Sequence, residues 1–154
     1  MAQMDLPRHS VSVAAAVIDA QQRVLAIRRA DNDRWEPPGG VLELDETFEA
    51  GVAREVLEET GLVVEAVALT GVYKNMVRGI VALVFRCQVV EGTPEPSDEV
   101  RECRWLTAEE VRTHMSEAYA VRMLDALADG PVAVRTHDGV RLSPAAVLEP
   151  DPSA

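Results

Sequence analysis

The sequence predicts an α/β domain, a mixed sheet covered by a few helices. Three observations carry this. Apolar, β-branched stretches recur along the chain, but helical stretches do not alternate regularly with them, which argues against a doubly wound fold. The first stretch, Val11 to Ile18 (VSVAAAVI), is apolar almost without a break, as in a strand buried on both faces. The stretch Phe48 to Thr60 repeats Phe48, Val52 and Val56 every four residues, widened by Ala53 and Leu57, and so predicts a helix with one buried stripe.

Taken in order, residues 1–9 carry no pattern and are expected to be loose. After the first strand, Asp19 to Gln22 is polar enough to turn, and Arg23 to Arg28 (RVLAIR) reads as a second strand, antiparallel to the first. Ala30 to Pro38 is a loop by its Asp, Asn and Pro content. Asp45 or Thr47 can cap the helix that follows, and Gly61 suits its left-handed C-terminal cap. Leu62 to Val72 reads as a strand or strand pair, with a turn around Lys74-Asn75 before Gly79. Ile80 to Val90 is a strong strand signal, rich in Val and Phe. Glu91 to Glu99 is an acidic loop. Val100 to Leu106 alternates as a shorter strand. Thr107 and Glu110 form a capping box that opens a helix to about His114. A third helical stretch spans Ala118 to Ala128. Residues 132–142 suggest a hairpin turning at His137-Asp138-Gly139. From Ser143 the chain is rich in proline and is expected to be a disordered tail, leaving residues 1–142 as one domain.

The chemistry concentrates on the first helix. Glu55, Glu58 and Glu59 stand at i, i+3 and i+4 and project from neighbouring points. Like charges so placed cost roughly 0.2–0.5 kcal/mol per pair on an exposed helix. Such a face is either well solvated or collects charge for a cation, and oxygen ligands alone suit Mg²⁺ or Mn²⁺. Gly39 and Gly40 follow Pro37-Pro38, and a glycine turn there can bring backbone carbonyls near the acids. Arg28, Arg29 and Arg34 approach the same region as candidate phosphate ligands, since the guanidinium donates two parallel bonds. Trp35 could stack on a base or sugar, or plug the core beneath the loop.

The same stretch resembles the Nudix hydrolases. Their box runs G, five residues, E, seven residues, then R-E-U-x-E-E-x-G-U, with U a bulky aliphatic. Gly40, Glu46, Arg54, Glu55, Val56, Glu58, Glu59, Gly61 and Leu62 fill every specified position. A chance match at one start position is on the order of 10⁻⁹. Many members carry proline-glycine before the first glutamate, where this chain has Glu43-Leu44-Asp45, so the loop conformation is open to difference. The resemblance implies an α/β/α sandwich with the box as a loop-helix-loop beside the sheet. It implies that Glu55, Glu58 and Glu59, with the Gly39 carbonyl, hold divalent metal. Glu55 matches the usual candidate for the base, although several members place it elsewhere. Arg54 and Glu46 match a salt-bridged pair that positions the ligands. One more acid from the opposite side is common in the family; Asp98, Glu99 and Glu102 are candidates. The implied reaction is attack of water on a diphosphate linked to a group X.

Composition bounds the partners. With 154 residues and 47% apolar content the chain can bury a core. A net charge of −11 argues against non-specific nucleic-acid binding but not against a small nucleotide, because metals and a few arginines can reverse the local sign. No stretch is long and apolar enough to span a membrane, and no leader is apparent, so a cytoplasmic location is expected. Cys87 and Cys103 have no metal-type spacing and are expected to be reduced, and His9, His114 and His137 to lie at the surface. The leading substrate is a nucleoside triphosphate, oxidised or non-standard forms included. ADP-ribose or a nucleotide sugar comes second. A non-catalytic Nudix sensing module is the alternative from another class, disfavoured because no box acid is missing. The edge of the 132–142 hairpin could pair two subunits as a homodimer.

Overall fold

The computed structural model describes residues 5–144. Its elements are β1 (Ser10–Val17), β2 (Val24–Arg29), β3 (Trp35–Glu36), β4 (Gly39–Val41), α1 (Phe48–Thr60), β5 (Val63–Asn75), β6 (Ile80–Glu91), β7 (Val100–Leu106), α2 (Ala108–His114), α3 (Glu117–Leu127) and β8 (Ala133–His137). A mixed sheet runs β4-β1-β6-β5-β8, and a smaller antiparallel sheet runs β3-β2-β7.

The unbroken apolar run of β1 follows from its place between helices. Val13, Ala15 and Val17 pack into a cluster with Val52 and Val56 of α1. Ala14 and Ala16 face the other way, into a cluster with Val111 of α2 and Ala120, Met123 and Ala126 of α3. Alternate side chains of a strand point to opposite faces, so a strand covered on both sides must be apolar throughout. Helices on both faces of the mixed sheet give the expected α/β/α layering.

The expected pairing of the first two strands is corrected. β1 is flanked by β6 in parallel along its whole length, Ser10 to Val17, and by β4 at Ser12–Ala14. A strand has two edges, and both of these are taken. β2 therefore does not pair with β1; one antiparallel bridge, Ile18 to Val24, lies just beyond the end of β1, and β2 pairs with β7 in the second sheet. The expected loop at 30–38 contains the two-residue β3, which pairs with β2 at Ile27–Glu36 and Arg28–Trp35. β5 is one continuous strand, bent by irregularities before Val64, Ala68 and Gly71, and it runs through Lys74 and Asn75; the turn comes after them. The expected hairpin at 132–142 is mainly one strand: β8 adds in parallel to β5, and only the bridge His137–Leu142 remains of a second arm. The expected disordered tail lies almost entirely outside the described residues.

Helix α1 is capped by Thr47, whose hydroxyl accepts the Ala50 N–H at 3.2 Å, rather than by Asp45. Gly61 closes it at φ 75°, its N–H donating to the Leu57 carbonyl at 2.9 Å. The buried face differs from the stripe read in the sequence. Phe48 and Leu57 are exposed, whereas Gly51, Val52, Val56, Glu59 and Thr60 are buried. Val52, Val56 and Glu59 stand at i, i+4 and i+7, so the apolar stripe runs directly into a carboxylate.

Candidate active site

The acids of α1 face the glycines of β4. Gly39 donates its N–H to Glu59 Oε1 at 2.8 Å. Glu59 is 4% exposed, and burial, opposed only in part by that bond, pushes its carboxyl up to about 8; the charges of Glu55, Glu36 and Glu99 act in the same direction. Glu55 is also raised, first by burial and against the pull of Arg54. Its carboxylate lies against Gly40, where a Cβ would stand 2.5 Å from Oε1. The glycine is required by close approach. Gly40→Ala is expected to keep the fold and to lower the activity of this site at least about tenfold by displacing Glu55; steady-state kinetics beside a thermal melt checks this.

Arg54 organises the remaining acids. Its Nε and Nη2 donate to the two oxygens of Glu46 at 2.8 and 2.6 Å, a two-pronged pairing. Its Nη1 donates to Glu55 at 3.0 Å and to Glu58 at 3.2 Å. Glu46 also accepts the Glu43 N–H at 2.9 Å, and the Arg54 bonds hold its carboxyl down to about 2. The loop containing Glu43-Leu44-Asp45 thereby folds onto the helix.

The site fits a divalent cation by its chemistry. The donors are all oxygens, burial raises Glu59 and the two acids, Glu36 and Glu55, whose charges act on it, and among the described residues Glu59 bonds to no cationic partner. Among the described residues no three side chains stand as a ready-made ligand cluster, because Arg54 lies between Glu55 and Glu58 while Glu59 turns inward to Gly39.

The other sequence candidates divide. Glu99 is exposed and close enough for its charge to raise both Glu55 and Glu59. Glu102 faces elsewhere and pairs weakly with Arg28 at 3.7 Å and Arg104 at 3.9 Å. Arg28 is engaged by Asp33 at 2.6 Å. Arg29 donates to Asp31 and to Glu36, and it lines a cleft of about 250 Å³ that also contains Gly39 and Gly40. Arg34 and Trp35 line a second cleft of about 410 Å³. Trp35 is half-buried against the α2–α3 core, with Arg104 5.8 Å from its ring centre, so it serves the core while bordering a cleft.

Several residues of the first cleft were not singled out in the sequence: Glu36, Asn75, Arg78, Tyr119 and Arg122. The expected surface position of His137 is corrected; it is 4% exposed and lines the same cleft, because β8 docks beside β5 and turns its last side chain inward. No local signal marks these positions, since they lie on five separate elements or loops. Cys87 and Cys103 are free, and burial pushes their thiols up to about 12 and about 11. Among the described residues no helix is long and apolar enough to cross a membrane.

Residues 8–127 match the family model described as the NUDIX domain. A MutT-like protein of Streptomyces ambofaciens is 60% identical over 139 residues, covering 90% of each chain. An ADP-ribose pyrophosphatase of Methanocaldococcus jannaschii is 31% identical over 104 residues, covering 63% of this chain and 62% of that one. Among solved structures, the MutT protein of Methanosarcina mazei Go1 superposes with a TM-score of 0.70 at 25% identity, covering 83% of this chain and 100% of the other.

Proposed function

The chain belongs to the NUDIX family and is a Nudix hydrolase acting on phosphoanhydride bonds, and from that premise we propose that it cleaves a nucleoside triphosphate to a nucleoside monophosphate and pyrophosphate. One observation carries the substrate choice. The cleft bounded by Gly39 and Gly40, which touch the acids of α1, measures about 250 Å³. That lies at or below the lower end of the usual range for ligand pockets, roughly 300–1,000 Å³, and suits a nucleoside with its phosphate chain better than a substrate that adds a second sugar or nucleoside beyond it.

Glu55, Glu58 and Glu59 would hold Mg²⁺ or Mn²⁺, with the Gly39 carbonyl and Glu99 as further oxygens. When bound, such an ion neutralises phosphate oxygens and makes water more acidic. Glu55 accepts the proton of the attacking water; its upward shift brings it nearer the range in which a carboxylate is an effective base. Water adds to phosphorus, the anhydride P–O bond breaks, and the released phosphate carries the electron pair. Arg54 bridges Glu55 and Glu58 and orients them, and Glu46 fixes Arg54.

The second reading, ADP-ribose or a nucleotide sugar, has its own support. The second cleft shares Tyr119 and Gly139 with the first, so a longer substrate could extend across both. A relative bears the name ADP-ribose pyrophosphatase. The test is a hydrolysis panel with Mg²⁺ or Mn²⁺, covering nucleoside triphosphates, oxidised guanine nucleotides, ADP-ribose and nucleotide sugars. The expected result is a kcat/KM at least about tenfold higher for a triphosphate than for ADP-ribose. The reverse ranking would move the assignment to the second reading.

A further inference from the structure

Arg122 of α3 has no use in the reaction described above, yet it is buried at the wall of the first cleft, 8% exposed. Among the described residues it pairs with no acid, and its Nε–H has no acceptor. Two aromatic rings hold it, with Cζ 4.9 Å from the centre of Tyr119 and 5.4 Å from that of Tyr73. Such contacts offset only part of the cost of burying a cation.

Its neighbour makes the case sharper. Arg122 Nη2 lies 3.4 Å from Nε2 of His137. The Gly139 backbone N–H donates to His137 Nδ1 at 2.9 Å. A backbone N–H can only donate, so Nδ1 is unprotonated and the neutral ring carries its proton on Nε2. Burial and the Arg122 charge both lower the His137 pKa, which keeps the ring neutral. Nε2–H and Nη2–H are therefore two donors facing each other. Neither is the other's partner, and both residues line the cleft that reaches Gly39 and Gly40.

We infer that Arg122 and His137 form a donor-only subsite that takes an acceptor oxygen of the substrate's non-reacting part. The inference rests on the nucleotide-hydrolase reading and deepens it. Two sources supply such an oxygen: a base carbonyl, as at O6 of guanine, or an oxygen of a phosphate group on X. A group that presents an amino donor there, as adenine does at N6, leaves all donors unpaired and is selected against.

Two variants separate binding from structure. His137→Asn keeps an oxygen where Nδ1 accepts the Gly139 N–H and removes the second donor. Arg122→Met keeps length and removes the charge. KM and kcat are measured for GTP and ATP, and thermal shifts are measured with GMP, AMP and inorganic phosphate. The shifts need no turnover, so they test the subsite even if triphosphate hydrolysis fails. The wild type is expected to favour the acceptor-bearing probe. Each variant is expected to raise KM for the preferred nucleotide about tenfold or more with little change in kcat, and to lose the matching thermal shift. Arg122→Met should melt close to the wild type, because the buried charge it removes has no direct ion pair and is offset only by two aromatic rings and the more distant charge of Glu36. A shift with GMP but not phosphate assigns the oxygen to the base; a phosphate shift that both variants lose assigns it to a phosphate. Wild-type KM and shifts in both variants would overturn the subsite, as would a large fall in melting temperature for Arg122→Met with ligand shifts unchanged in His137→Asn.

Discussion

Glu59→Gln is expected to reduce hydrolysis by roughly 10²–10⁴-fold, a range typical of one acid–base or charge-bearing group in a site, while the protein stays folded. The variant is informative because it preserves geometry. The glutamine carbonyl can still accept the Gly39 N–H, which lies 2.8 Å from Glu59 Oε1. Only the charge is lost, and that charge is unfavourable in the metal-free protein, where burial and three neighbouring acids oppose it. A thermal melt without metal should therefore show equal or higher stability. Glu58→Gln is also expected to cost activity. Its exposed side chain shares Arg54 with Glu55, so its loss is read together with a shift of Arg54. Full hydrolysis in both variants would remove these acids from the reaction.

Removing divalent cations with EDTA is expected to abolish turnover, and the stability effect of restoring Mg²⁺ should depend on pH. The sign follows from Glu59. Its folded carboxyl titrates at about 8, against an ordinary value of 4.5. The folded protein thus holds this proton more tightly than the unfolded chain does. The resulting stabilisation of the metal-free protein is fully present below about pH 4.5 and is lost as pH rises through about 8. A cation binds the deprotonated form and displaces the proton, so binding should release protons and tighten as pH rises. The Mg²⁺-induced rise in melting temperature should grow from about pH 6 to about pH 8 in the wild type and flatten in Glu59→Gln. Undiminished hydrolysis in excess EDTA would contradict the metal reading outright.

The sequence by itself determined what depends on neighbours along the chain. The spacing of Glu55, Glu58 and Glu59 requires only the helical repeat. The caps at Thr47 and Gly61 and the capping box at Thr107 and Glu110 are interactions within a few residues. The apolar run of β1 states that it is covered on both faces without saying by what. The tertiary structure decided the rest. It parted β1 from β2, because β4 and β6 occupy both edges of β1. It turned Glu59 into the buried stripe by packing α1 on β1 and β5. It drew β8 alongside β5 and carried His137 to Arg122, which made a buried wall from a histidine that reads as a surface turn. Helix faces and caps are set by bonds and contacts of short sequence separation. Strand edges and cleft walls are set by which distant surfaces bury each other best, and no local pattern records that competition.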